Sequence, residues 1–365
     1  MAHRDVIVIG ASSGGVQALT KVLAALPADL PAAIFVVLHV RPDAPSQLPT
    51  ILNRVGRLPA AHAVDSEPIR QARIYVAPPG QQMYIHNGRI AVRRGPSENM
   101  HRPAIDPLFR TAAHQYGVRV IGVVLSGARD DGSAGLLAVK RGGGIAVVQD
   151  PDDAQVRDMP ANAKERAQVD YSVPADEIGP LLVSLVANEA APRTLPREVP
   201  LETVEEAEQP GEALRSDELG RPSPFTCPEC SGSLWEIDDG KGGARYRCRV
   251  GHAYSPDSMV AAQGESVERA LWVALRALEE RVALLSTLAA WGARAGPSIG
   301  CRDFRGTLAA GRRRRPCASR AHPYGTHPRT GGAGNRMIPG PLRPPAHPVD
   351  GPFVRLKFAL LRGGV

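Results

Sequence analysis

An α/β fold with a doubly wound, mainly parallel sheet of Rossmann-like kind is what this sequence predicts. Three observations predict it. Val6 to Ile9 is a short, mostly β-branched apolar run, the mark of a strand buried on both faces. It enters Gly10-Ala11-Ser12-Ser13-Gly14, and a helical pattern, Val16 to Leu26, follows at once. Strand-like runs then recur at Ala33 to Leu38, Val118 to Leu125 and Gly144 to Gln149, with helical segments between some of them. The remaining elements fit this frame. Ala72 to Ala77 reads as a strand before Pro78-Pro79-Gly80. Met83 to Val92 reads as a hairpin turning at Asn87-Gly88. Pro107 to His114 reads as a helix, and Ala175 to Ala187 as the helix that closes the domain, which spans 1–189.

A strand, a tight glycine-flanked turn and a helix can cradle a nucleotide phosphate. The same local shape can lift a serine out as a nucleophile in G-x-S-x-G. The nucleotide reading needs an acidic residue at the end of the second strand, which ends instead in His39. Asp29 precedes that strand and lies on the wrong side of the sheet. Short-chain dehydrogenases also carry Gly-Ala-Ser-Ser-Gly, but they pair it with Tyr-x-x-x-Lys, and no tyrosine here has a lysine four residues later.

The nucleophile reading needs a histidine and a carboxylate. His39 falls at the carboxyl end of the second strand. The run ending at Leu125 opens into Ser126-Gly127-Ala128-Arg129-Asp130-Asp131-Gly132. Ser12, His39 and an acid thus all lie just past carboxyl ends of parallel strands, where function gathers in such sheets. Asp130 and Asp131 are not separable on these grounds, and either could instead cap the helix beginning near Gly132.

Four motifs in order carry a family resemblance: Gly10-Ala-Ser-Ser-Gly-Gly15, Leu38-His39, His101-Arg102-Pro103-x-x-Asp106-x-Leu108-Phe109, and Ser126-Gly127-x-x-x-Asp131-Gly132-x-x-Gly135. Residues 4 to 186 resemble the catalytic domain of the chemotaxis protein-glutamate methylesterases (CheB type). The resemblance implies a cytoplasmic signal-transduction hydrolase. It would remove methyl esters from glutamate side chains of chemoreceptors, releasing methanol, and many members also deamidate glutamines. It implies Ser12 as nucleophile, His39 as base and Asp131 as acid. Ser13, Gly14 and Ala128 fall in the oxyanion region. His101 and Arg102 either contact substrate or pin the loop before the following helix. No cofactor is needed for this chemistry. A phospho-receiver domain, present in many members, is not expected ahead of the first strand. The rival reading is a catalytically idle domain that binds a methylated or signalling partner through the same cleft.

Composition narrows the classes. The chain has 365 residues and a formal net charge of +7. From Ala293 onward it carries 14 Lys/Arg and 2 Asp/Glu, so of the total 44 basic and 37 acidic residues the preceding 292 hold 30 and 35. The body is mildly acidic, which argues against a nucleic-acid partner for the catalytic half. No apolar run reaches membrane-spanning length, and the first strand leaves no room for a signal peptide, so a cytoplasmic protein is expected.

Past the catalytic domain, residues 190–223 are rich in proline and glutamate without apolar periodicity and read as a flexible acidic linker. Cys227-Pro-Glu-Cys230 and Cys248-Arg-Val-Gly-His252 then flank a hairpin-like stretch. Three thiolates and one imidazole suit a closed, structural zinc site in a ribbon-like module, 224–262. So small a module has too little core to stand without such a staple. An amphipathic helix occupies 263–291, with Leu271, Leu275, Leu278, Val282, Leu285 and Ala289 at four-three spacing. It either packs on the module or pairs, in the sharper case as a homodimer through 266–291. Partners implied by the resemblance are a methylated chemoreceptor and a chemotaxis methyltransferase or other signalling protein. Residues 292–365 are rich in Arg, Pro and Gly and read as a disordered tail or as a translated wrong frame, with a tail that binds RNA or a membrane surface as the functional rival.

Overall fold

A computed structural model describes residues 2–190, 220–238 and 243–294. The basic tail and most of the acidic linker lie outside the described residues. The chain divides into two compact units, Met1–Thr287 and Leu288–Val365, and the features below belong to the first.

Seven strands form one sheet in the order Tyr171–Val173, Ile145–Gln149, Val120–Val124, Val6–Ala11, Ala33–Leu38, Arg73–Val76, Ala60–His62, and every neighbouring pair is parallel. Val6–Ala11 sits in the middle because it is buried along its whole length, as is Ala33–Leu38 beside it. Two apolar cores lie on the two faces. Val6, Val8, Phe35 and Val37 point into one, and Ile7, Ile9, Ile34 and Val36 into the other. That alternation is the two-residue period of a strand covered on both sides. The helix Ile105–Tyr116 covers the first face, and Gly15–Ala24 with Ala175–Ala187 the second.

The chain steps from Val6–Ala11 to Ala33–Leu38 on one side and later to Val120–Val124 on the other. The strand order therefore reverses at Val6–Ala11, and the crevice beyond that point is where such sheets place their sites. The hairpin expected at 83–92 is a separate two-stranded sheet, Gln82–His86 with Arg89–Arg93.

A second, four-stranded antiparallel sheet comprises Arg221–Thr226, Ser233–Asp238, Ala244–Cys248 and Ala253–Tyr254. Its small core contains Cys227, Leu234, Cys248, Tyr254, Met259 and Ala262. The last helix runs Pro256–Arg294, so it begins inside this module, and its first turns bury Met259 and Ala262 there. Leu271, Leu275, Leu278 and Val282 are exposed. Among the described residues, no helix is long and apolar enough to cross a membrane.

Candidate active site

Parallel pairing brings Ser12 and His39 together. Ala11 is in register with Leu38, and the His39 N–H donates to the Ala11 carbonyl at 3.0 Å. The next residue on one side is Ser12, and on the other the chain continues as His39, so both leave the sheet at neighbouring points. The third loop is tied in by the Leu125 N–H donating to the Gly10 carbonyl and the Ser12 N–H donating to the Ser126 carbonyl, both at 2.9 Å.

Glycines make the crowding at Ser12 tolerable. Gly14 has φ +77 and precedes the helix Gly15–Ala24. A Cβ there would stand 2.6 Å from Ser126 Oγ, besides requiring a conformation that L-residues avoid. At Gly127 a Cβ would meet Met159 Sδ and come within 2.7 Å of Ser12 Cβ. Ser13 is exposed, and its carbonyl accepts from Ser126 Oγ at 2.7 Å. Ser13 and Gly14 thus open the helix, where the first N–H groups have no acceptor within the helix and the dipole favours negative charge. Ala128 is half-buried beside Gly127, whose own N–H donates to the Val156 carbonyl.

His39 Nε2 lies 2.7 Å from Asp131 Oδ2. That oxygen also accepts from the Ile105 N–H at 2.8 Å, while Oδ1 accepts from Asn99 Nδ2 at 2.9 Å and from the Gly132 N–H at 3.0 Å. Burial pushes the Asp131 carboxyl upward. The hydrogen bond from His39 first, then the Ile105 N–H, help to outweigh it and hold the group at about 2. An ionised carboxylate only accepts, so Nε2 carries a proton, and in the neutral tautomer this fixes, Nδ1 holds the lone pair. Nδ1 is buried and has no hydrogen-bond partner among the described residues.

Asp130 turns the other way, and its Oδ1 accepts from Ser255 Oγ at 2.9 Å. Of the two neighbouring acids, it is Asp131 that meets the histidine.

His101 stacks flat on His39, with ring centroids 3.6 Å apart and planes 13° apart. Burial above all pushes it down to about 3, so it is a neutral ring against His39. Arg102 donates to the Gly95 carbonyl at 2.9 Å. It also lines a cavity of about 270 Å³ with Ser97, Met100 and Glu229, between the catalytic domain and the Cys/His module.

Three contributors escape sequence reasoning. Asn99 reaches both Asp131 and, at 3.0 Å, Asp106 Oδ2. Asp106 accepts the Gly135 N–H at 2.6 Å, and burial together with the charge of Asp131 raises its carboxyl to about 7. The Ile105 N–H is a backbone group, which leaves no trace in residue type. Asp106 stood in a recognisable motif. For Asn99 the only signal was its place two residues before His101.

Cys227, Cys230, Cys248 and His252 offer ligand atoms all within 4.8 Å of one another. Cys230 Sγ and Cys248 Sγ are 3.7 Å apart, close to the ~3.8 Å that two thiolates ~2.3 Å from a tetrahedral zinc adopt. His252 turns Nδ1 to Cys227 Sγ and Cys248 Sγ, at 3.6 and 3.5 Å, and Nε2 to Glu229 Oε2 at 3.3 Å. A carboxylate behind a histidine is the support that metal-ligating imidazoles commonly have. The donor set therefore fits a structural zinc ion.

Ser12, His39 and Asp131 all leave the carboxyl edge of the parallel sheet, the place and the residue types that suit a hydrolase. Comparison with known proteins narrows this. Residues 7–182 match the family described as CheB methylesterase. A Leptospira interrogans protein named "Putative protein-glutamate methylesterase/protein-glutamine glutaminase" is 36% identical over 185 residues, covering 50% of this chain and 96% of that protein. An Anaeromyxobacter dehalogenans protein named "Protein-glutamate methylesterase/protein-glutamine glutaminase 2" is 39% identical over 177 residues, 48% of this chain and 52% of that one. A crystal structure of the Thermotoga maritima CheB methylesterase catalytic domain is 31% identical and covers 51% of this chain and all of that one, with a TM-score of 0.48. The chain belongs to the CheB methylesterase family.

Proposed function

We propose that this protein is a serine hydrolase that removes methyl esters from glutamate side chains of chemoreceptor-like proteins, with Ser12 as nucleophile, His39 as base and Asp131 as acid. The observation that carries the reading is His39 itself: Nε2 bound to an ionised carboxylate, and Nδ1 buried with a vacant lone pair. In the reacting complex Ser12 Oγ takes the place of the missing partner, as catalytic hydrogen bonds often tighten only with substrate bound.

His39 Nδ1 removes the hydroxyl proton as Oγ attacks the ester carbonyl. The oxyanion is stabilised by N–H groups of the Ser13–Gly14 turn and of Ala128, with the helix dipole behind them. The imidazolium, steadied by Asp131, returns its proton to the departing methoxide, and methanol leaves. Water then attacks the acyl-serine by the same base, yielding the glutamate carboxylate and free Ser12. His101, stacked on His39, keeps the ring in plane. Arg102 and the cavity it lines supply a contact surface for the receptor segment. A zinc ion held by Cys227, Cys230, Cys248 and His252 would staple the small module, with no open position for substrate.

A second activity of the same triad, hydrolysis of glutamine side chains to glutamate and ammonia, is favoured by the double names of the relatives. A second copy of this chain, pairing through the exposed Leu271, Leu275, Leu278 and Val282 seam, is the partner that the 266–291 helix suits best. A methylated receptor and its methyltransferase or another signalling protein complete the expected partners, all in the cytoplasm. The test offers the zinc-loaded protein two receptor cytoplasmic fragments, one methylated and one bearing unmodified glutamines, and quantifies methanol and ammonia. Methanol from the first supports the esterase reading. Ammonia alone would replace it with the deamidase, and neither product, with tight binding of the fragments, would replace it with a binding module.

A further inference from the structure

The Cys/His module is joined to the catalytic domain by a junction of buried polar groups, and that junction runs into the catalytic site. The segment Ser97–His101 lies between the two. On its far side several of the contacts that hold it come from the module. The Ala253 N–H donates to the Ser97 carbonyl at 3.3 Å, and the Asn99 N–H to the Ala253 carbonyl at 2.8 Å. Ser97 Oγ hydrogen-bonds Glu229, the carboxylate behind His252. Glu98, buried, forms a bidentate pair with Arg110 and faces Arg245 of the module at 3.4 Å. Met100 packs against the module core.

On its near side the same segment touches the triad twice. Asn99 Nδ2 donates to Asp131 Oδ1, and His101 stacks on His39. Asn99 and Met100 have φ of +50 and +70. Two consecutive non-glycine residues in this region persist only where the surroundings hold them.

The Asn99 amide has its full complement of partners. Both Nδ2 hydrogens go to carboxylates, Asp106 Oδ2 at 3.0 Å and Asp131 Oδ1 at 2.9 Å. Oδ1 faces the module on both lone pairs, accepting from the Ser255 N–H at 2.9 Å and lying 3.1 Å from Ser258 Oγ, whose single proton is shared between Oδ1 and the Ser255 carbonyl, also at 3.1 Å. The amide cannot turn over without setting its oxygen against two carboxyl groups and its NH2 against the Ser255 N–H. Ser258 is fully buried, and Ser255 is anchored in turn by Asp130.

From this geometry we infer that the Cys/His module completes the esterase site in cis, with Asn99 as a positioning residue that Ser255 and Ser258 hold against Asp131. The inference rests on the reading of Asp131 as the triad acid. The module lies beyond residue 182, where the family match ends. The junction therefore adds a control point outside the family domain: whatever loosens the module loosens the donor that fixes Asp131.

The test uses the full-length, zinc-loaded protein with two readouts, kcat and KM for methanol release from a methylated receptor fragment, and the low-field proton NMR signal of the His39–Asp131 hydrogen bond. Asn99→Asp keeps the oxygen facing Ser255 and Ser258 but loses the amide donor. Ser258→Ala removes the hydroxyl on the module side, and Ser258→Thr restores one. Asn99→Asp should lower kcat by about tenfold or more with KM within about twofold, since small misplacements of catalytic groups have that scale. Ser258→Ala should do the same more weakly, Ser258→Thr should recover most of the rate, and the proton signal should shift or broaden in the first two variants. Folded variants with an unchanged proton signal and unchanged kcat overturn the inference. Should the unaltered protein release no methanol, the esterase reading falls and the proton signal alone decides: displaced in the variants, the positioning stands, and unmoved, it fails. Should Asn99→Asp not fold, Ser258→Ala against Ser258→Thr carries the same decision.

Discussion

Replacing Asp131 with asparagine changes one atom and should abolish nearly all turnover. Each carboxylate oxygen faces at least two donors: His39 Nε2–H and the Ile105 N–H on one side, Asn99 Nδ2–H and the Gly132 N–H on the other. Whichever way an amide sits, its NH2 meets two N–H groups. The easiest relief is for His39 to move its proton to Nδ1 and accept at Nε2. That tautomer no longer has a lone pair for the Ser12 proton. A reversal of this kind costs about 10⁴ in kcat in a serine triad. Stability should change far less. The Asp131 carboxyl, lowered from 3.8 to about 2, contributes on the order of 2 kcal/mol at neutral pH. This depressed value makes the contribution complete above pH 4 and lost as pH falls through 2. Relief of the raised Asp106 carboxyl offsets part of the loss. The assay is kcat for methanol release beside a thermal melt at pH 7. A folded Asp131→Asn protein with kcat within about tenfold of the parent would refute the tautomer argument.

Other expectations follow from the same contacts. Asp106, raised from 3.8 to about 7, binds its proton more tightly folded than unfolded, so its stability contribution is complete below about pH 4 and lost as pH rises to 7; Asp106→Asn should flatten the fall in melting temperature between pH 4 and 7, and parallel curves for the two proteins would argue against it. Gly14→Ala should lose about 1–3 kcal/mol through positive-φ strain and the Ser126 contact, read by urea unfolding; an unchanged midpoint would contradict the crowding seen there. Metal analysis should return one zinc per chain, and Cys230→Ser or exhaustive chelation should remove it and expose Cys227 and Cys248 to a thiol reagent; persistence of protected thiols in metal-free protein would count against the zinc staple.

Much of the fold was legible because its strands are buried on both faces. Val6–Ala11, Ala33–Leu38 and Val120–Val124 read as apolar runs with turn residues behind them, and strand ends name the site in such a sheet. That placement made Ser12 and His39 candidates, and the further motifs raised them above the bland readings of a turn serine and a structural histidine. What decided between Asp130 and Asp131 was not local: one faces His39, the other a serine 125 residues further on. Asn99 was invisible for the same reason, since its four partners come from three separate segments. The last helix shows a signal passed over. An apolar seam marks only 266–291, yet Ser255 before Pro256 is a cap and first-turn signature, and Ser255 Oγ accepts the Ser258 N–H at 3.1 Å. His101 was expected at substrate or loop, and nothing in its spacing announces a ring stacked on another ring.

The measurement that bears most directly on the central claim compares the unaltered protein with Ser12→Ala on a methylated receptor fragment, following methanol release and fragment binding together. The account predicts release by the first, none above background by the second, and equal binding by both. Equal release by both proteins would contradict it, because hydrolysis would then proceed without the serine on which the whole arrangement of strand ends, glycines and histidine converges.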